Sequence, residues 1–261
     1  MEPPNSASSK KPNNMAKITE DEIRGYIEEK IPLFHQRRLE SLAALRLKEV
    51  LKRKNPYLFR AKDVTTAGDL VKEILDAHLS SQEETIFGSF LEGLAIFIAY
   101  KVYGGRKSAA EGIDLEMTKE GVLYIITIKS GPNWGNSSQI ARMKDNFTKA
   151  KRILATNTSG LKVVAVNGCC YGRENEPDKG DYLKLCGQRF WSFISGIDDL
   201  YTRIIKPLGH RARERNEEFA LEYGKRVNKF TREFIDEFCL PDGTIVWEKL
   251  VKMVSSVDGN Y

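Results

Sequence analysis

The spacing of apolar residues changes period along the chain, and each change marks an element. Thr19-Glu20-Asp21-Glu22 has the form of a capping box and opens a helical stretch. Pro32 is expected to interrupt it. Leu39, Leu42, Ala43, Leu47 and Val50 then recur at helical spacing, predicting a second helix over about 33–54 that Asn55-Pro56-Tyr57 breaks. A further helix starts at Thr66 or Gly68 and carries Leu70, Val71, Ile74 and Leu75. A separate, strongly apolar one runs over roughly 84–100 and stops at Gly104-Gly105.

The period then shortens to two. Ile113-Asp114-Leu115-Glu116-Met117 alternates apolar and acidic side chains, as a half-buried strand does. Thr118-Lys119-Glu120-Gly121 reads as a turn, and the β-branched and aromatic run 122–129 predicts the best strand of the chain. Helical spacing returns over 137–154. Strands are expected over 161–167 and 182–186. From Gln188 onward the pattern is helical, with breaks at Pro207-Leu208-Gly209 and Pro241-Asp242-Gly243. The order helices, hairpin, helix, strand, strand, helices predicts an α/β fold, with a mixed sheet preceded and followed by helical segments.

Composition narrows this picture. Of 261 residues, 41% are hydrophobic and 30% charged, enough apolar material for a core that needs no disulfides. Residues 1–17 are rich in Pro, Ser, Asn and Lys and are expected to form a disordered tail. Residues 18–261 are expected to form a single domain with a helical N-terminal part (18–104), a core (105–196) and a helical C-terminal part (197–261). The four cysteines, Cys169, Cys170, Cys186 and Cys239, lack the spacing of a secreted disulfide framework and contain no CxxC pair. Reduced thiols in a cytoplasm are the expectation. The apolar runs read as too short to cross a bilayer, so no membrane partner is expected. A net charge of +5 is compatible with a polyanionic partner without requiring one.

The candidate chemistry lies in the hairpin. Alternation places Thr127 and Lys129 on one face of their strand and Asp114 and Glu116 on one face of the other. Pairing across the turn brings Asp114 toward Thr127 and Lys129. An acid, a hydroxyl and an ammonium would then converge at one end of a sheet. Phosphodiester hydrolysis uses such a cluster: a hard cation held by one or two carboxylates, and a lysine that supports the phosphate or the attacking water. Glu92, a lone carboxylate in the apolar stretch Phe90-Leu91-Glu92-Gly93-Leu94, is the natural second acid, because an unpaired charge there is costly.

The order of a helix Glu, a strand Asp and a strand x-x-Lys resembles the PD-(D/E)XK nucleases. The run Lys129-Ser130-Gly131-Pro132-Asn133-Trp134-Gly135-Asn136-Ser137-Ser138-Gln139 is similar to one group of type II restriction endonucleases. So are Asn55-Pro56-Tyr57-Leu58-Phe59-Arg60-Ala61-Lys62, Leu185-Cys186-Gly187-Gln188-Arg189-Phe190-Trp191 and Trp247-Glu248-Lys249-Leu250. The resemblance covers most of the chain after the tail. It implies a restriction-endonuclease-like core with helical N- and C-terminal additions. Asp114 and Lys129, with Glu92 and Thr127, are the implied catalytic positions. It further implies Mg2+ held by Asp114 and Glu92 with help from Glu116, double-stranded DNA as substrate, 5′-phosphate products, a homodimer on a palindromic site, and a cognate DNA methyltransferase as genetic partner.

One position departs from the pattern. Thr127 stands where an acid is expected, so the missing carboxylate comes from Glu92, Glu116 or Asp145, with Gln139 as a neutral alternative, or the protein binds DNA without turnover. A repair, structure-specific or modification-dependent nuclease of the same fold is a further reading. Ser130, Asn133, Trp134, Asn136, Ser138, Gln139 and Lys144 are the candidate DNA contacts. Several have a plain structural alternative: Trp134 packing across the sheet end, Asn136 or Ser137 capping the next helix, and Asp114 with Lys129 forming a simple cross-strand ion pair. Arg211, Arg213 and Arg215 are either phosphate contacts or a solvated face paired with Glu214, Glu217 and Glu218.

Overall fold

The hairpin at the centre of the sheet is closed by two residues in the left-handed region, Glu120 (φ 51°) and Gly121 (φ 74°). Positive φ at both central residues is the geometry of the tightest hairpin turn, matched to the twist of its strands. The computed structural model describes residues 17–157 and 160–257; the expected disordered tail lies, apart from Lys17, outside the described residues.

The helices before the sheet are α1 (Glu20–Ala44), α2 (Leu47–Leu51), α3 (Pro56–Ala61) and α4 (Ala67–Tyr103). Two expected breaks are absent. Pro32 lies inside α1, which continues because Ile23, Ile27, Ile31 and Leu42 keep burying one stripe on both sides of it. The predicted pair of helices around residue 84 is one 37-residue helix. The polar stretch between them is an exposed helix face: Ser81 Oγ, Thr85 Oγ1 and Ser89 Oγ each donate to the carbonyl four residues back. Fusion of the two segments also corrects the expectation about bilayer length, since α4 is long and apolar enough to cross a membrane by length and composition. In the structure its Leu94, Ala95, Ile98 and Ala99 are fully covered by protein.

The strands are β1 (Arg106–Lys107), β2 (Leu115–Lys119), β3 (Val122–Lys129), β4 (Lys162–Cys169) and β5 (Leu183–Cys186). They form one sheet in that order, antiparallel from β1 to β3 and parallel from β3 to β5. The fold is therefore α/β with a mixed five-stranded sheet flanked by helices. α5 (Ser137–Asn157) makes the crossover that parallel β3 and β4 require. Its Met143, Phe147 and Ala150 pack with Ile113, Ile125 and Ala165 on one face of the sheet. On α6 (Gln188–Ser195), the Phe190 ring lies against Gly168, where a Cβ would come within 2.2 Å of it. Short helices α7 (Leu200–Arg203) and α8 (Ile205–Leu208) follow, then α9 (Ala212–Phe238) and α10 (Trp247–Ser255).

The chain separates into two compact units. One comprises the residues up to Tyr26 with Leu91–Ile205, and so contains the whole sheet. The other comprises Ile27–Phe90 with Lys206–Tyr261. Its core joins Leu47, Val50 and Leu51 to Leu70, Ile74, Phe230, Phe234, Phe238 and Leu250.

Candidate active site

The register of β2 on β3 pairs Leu115 with Ile126 and Glu116 with Ile125, and the Asp114 N–H continues the ladder to the Ile126 carbonyl at 2.9 Å. Asp114 thus stands opposite Thr127. Its Oδ2 accepts the Thr127 hydroxyl at 3.3 Å and the Ile128 N–H at 2.6 Å. The acid is therefore fixed by the backbone of the strand that carries Lys129. Its Oδ1 accepts no hydrogen bond from the described residues.

Lys129 ends β3. It is half-buried, and its Nζ lies over the Trp134 ring, 5.2 Å from the centroid. No carboxylate among the described residues pairs with it, so the simple ion pair with Asp114 does not form. Trp134 is held in turn: it packs against the apolar cluster beneath α5, and its Nε1 donates to Asn167 Oδ1 at 3.1 Å. Asn167 sits on β4 directly beside Thr127 in register and is 1% exposed, with its Nδ2 unpartnered. Reading the sequence alone missed Asn167. The available signal was one amide inside the apolar run Val163-Val164-Ala165-Val166-Asn167.

The other acids fall in different places. Glu92 is half-buried on α4, and Lys107 Nζ approaches its Oε1 at 3.4 Å. Burial, and then the Glu92 charge, push the Cys170 thiol up to about 12. Cys170 donates its N–H to the Lys129 carbonyl, so Glu92 acts electrostatically on the end of the sheet where Lys129 lies. Glu116 is buried and fully engaged. Its Oε1 accepts Ser108 Oγ at 2.6 Å, and its Oε2 accepts Arg106 Nε and a guanidinium N–H at 3.3 and 3.0 Å. Asp145 is an exposed residue paired with Lys149 along α5.

Among the described residues, no three of His, Cys, Asp and Glu form a cluster able to hold a metal. Both Glu116 oxygens already accept hydrogen bonds from protein donors. Mg2+ needs only one or two carboxylates when phosphate oxygens and waters complete its shell. Asp114 Oδ1 and Glu92 Oε2, both without a hydrogen bond from the described residues, have the right chemistry for it.

The loop after Lys129 is tied down. Tyr171 N–H donates to the Ser130 carbonyl, and Lys184 Nζ donates to the Pro132 carbonyl. Asn136 caps α5 reciprocally with Gln139: the Gln139 N–H and Ser138 Oγ donate to Asn136 Oδ1, while the Asn136 N–H donates to Gln139 Oε1. That is the capping alternative, built as an Asn/Gln version of the capping box. Asn133 is exposed, and Lys144 pairs with Asp181 at 3.1 Å. In the second unit Arg211, Arg213 and Arg215 pair with Glu214, Glu217 and Glu218, which is the solvated-face arrangement.

The mixed sheet thus presents an acid, a hydroxyl and a lysine without a carboxylate partner at one end. Residues 21–216, about three quarters of the chain, match the family model described as type II restriction endonuclease EcoO109I. The chain belongs to that family of restriction endonucleases. No curated protein matches it.

Proposed function

We propose that the protein is a metal-dependent, sequence-specific endonuclease with a PD-(D/E)XK core, cleaving double-stranded DNA to leave 5′-phosphate and 3′-hydroxyl ends. The observation that carries this reading is the half-buried Lys129 ammonium, held over Trp134 with no carboxylate neutralising it, beside an acid locked to the same strand. A cation so placed has an anion as its natural partner, and no carboxylate among the described residues pairs with it.

In this reading Mg2+ is held by Asp114 and Glu92, and when bound it polarises the phosphoryl group and acidifies a water. Lys129 faces the scissile phosphate, where its charge stabilises what develops as water adds and the bond to the 3′ oxygen breaks. Thr127 and the Ile128 N–H hold the Asp114 carboxylate in one orientation. Trp134, anchored by Asn167, keeps the lysine stem from collapsing toward other acids. Ser130 and Asn133, on the tethered loop, and Lys144 remain the DNA-facing candidates. Two-fold symmetry of a palindromic site favours a homodimer. A cytoplasmic restriction enzyme of this kind requires a cognate DNA methyltransferase to protect its host.

The test is incubation with unmethylated phage or plasmid DNA in Mg2+ and in EDTA. Discrete fragments in Mg2+ alone support the reading. A second reading, DNA binding without turnover, is favoured by the hydroxyl of Thr127 in the acid position; retained site-specific binding with no cleavage in Mg2+ or Mn2+ would establish it instead.

A further inference from the structure

The second unit contains a pocket of about 500 Å³ that the nuclease chemistry does not use. Its volume lies within the range of small-ligand sites and well above that of a lone ion. One wall is a stripe of α4, where His78, Gln82 and Ile86 recur every four residues. Ser41 of α1 faces it, with its Oγ donating to Gln82 Oε1 at 2.5 Å. Arg53 and Lys54, in the turn after α2, complete the lining.

Two features of this pocket ask for a ligand. The first is charge. The lining holds two cations and no carboxylate, and neither Arg53 nor Lys54 forms an ion pair among the described residues. About half of the arginines and lysines described elsewhere in this unit, such as Arg38, Lys62 and Arg211, have acidic partners. The second is an orphaned atom. His78 is 7% exposed, and its Nε2 is buried with no hydrogen-bond partner. Buried polar atoms without partners are rare in native proteins, and each calls for an explanation.

We propose that this pocket binds a phosphate-bearing nucleotide, with Arg53 and Lys54 taking the phosphate and His78 Nε2 supplying a hydrogen bond beside them. The nucleotide is either free in solution or part of a DNA chain; the recognition chemistry is the same. Ile86 offers an apolar surface to the rest of the molecule, and Gln82 a polar edge. The site does not depend on the nuclease reading, because none of its residues belongs to the sheet-bearing unit.

Proton linkage follows from the geometry. His78 is held below the usual histidine range by burial, then by Arg53 and Lys54, which are the charged groups facing it. An anion seated between them reverses the second effect, so binding draws a proton onto His78.

The experiment is histidine-edited NMR on the full-length protein in EDTA, with His78 assigned through His78→Gln. The probes are 2′-deoxyadenosine 5′-monophosphate, deoxyadenosine, and a short duplex without a cleavage site. The phosphate-bearing probes are expected to move the His78 resonance and raise its titration midpoint, while deoxyadenosine leaves both in place. A shift with the mononucleotide identifies a free-nucleotide site, and a shift with the duplex alone identifies a DNA contact. Arg53→Gln/Lys54→Gln, at an exposed and a half-buried position, should weaken binding about tenfold or more while leaving the His35 signal and thermal midpoint unaltered. Asp114→Asn should bind as the unmodified protein does, whatever its cleavage activity. The proposal is overturned if neither phosphate-bearing probe moves His78, if deoxyadenosine moves it equally, or if the shift survives in the Arg53/Lys54 variant.

Discussion

Asp114 Oδ2 accepts the backbone N–H of Ile128 at 2.6 Å, which ties the acid of one strand to the residue immediately before the lysine of the next. The bond places two chemical groups by one ladder step, and it gives Asp114 a structural duty separable from its chemical one. Asp114→Asn keeps an acceptor for the Ile128 N–H but removes the charge. Asp114→Ala leaves a strand N–H without its partner, at a cost of about 1–3 kcal/mol. Urea unfolding should therefore show Asp114→Asn near the unmodified midpoint and Asp114→Ala clearly below it, while cleavage is lost in both. Equal stability of the two variants contradicts the assigned bond.

Glu116 is expected to be a structural acid. Glu116→Gln weakens its contacts with Arg106 and Ser108, and should cost about 1–3 kcal/mol in denaturant unfolding without changing the Mg2+ concentration needed for half-maximal cleavage. A large shift in that concentration would return Glu116 to the metal.

Gly168 lies next to Asn167, and a Cβ there meets the fully buried Phe190 ring at 2.2 Å. Phe190 has no room to yield, so Gly168→Ala should destabilise by about 1–3 kcal/mol through overpacking. The pairing of Gly168→Ala with Phe190→Leu should recover part of that loss. Independent, additive effects in the double variant would rule out the contact.

Two histidines set an acid limit on the second unit. His35 and His78 are both lowered from 6.5, in each case chiefly by burial, with His35 also facing Arg38 and Arg215 against Glu83. The unfolded chain protonates them first as pH falls. The stability they contribute is therefore complete above about 6.5 and declines as pH falls toward their depressed folded values. Urea midpoints should drop between pH 7.5 and 5.5, and the drop should shrink in His35→Gln. A midpoint independent of pH over that range contradicts the burial of these rings as neutral groups.

Local chemistry made part of this legible. The β-branched run 122–129 declares β3 without help from the rest of the fold, and Asn136 announces the start of α5, while the part Gln139 plays in that cap emerges only from the structure. Asp114, Thr127 and Lys129 follow from alternation on two strands and the turn between them. Asn167 does not, because a single amide in an apolar strand gains meaning only when parallel pairing sets it beside Thr127. The engagement of Glu116 was hidden for a similar reason: β1 is two exposed basic residues with no apolar signal, yet it delivers Arg106 to that carboxylate. The continuity of α4 was masked by an exposed polar face that resembles a linker in one dimension.

The most direct test of the central claim is single-turnover cleavage of a mapped DNA site by the unmodified protein and by Lys129→Ala, with binding measured in parallel in Ca2+. The account predicts Mg2+-dependent cleavage that falls by about 10²-fold or more in Lys129→Ala, with folding intact and binding retained. Cleavage by Lys129→Ala at the unmodified rate would contradict it and remove this end of the sheet from the active site.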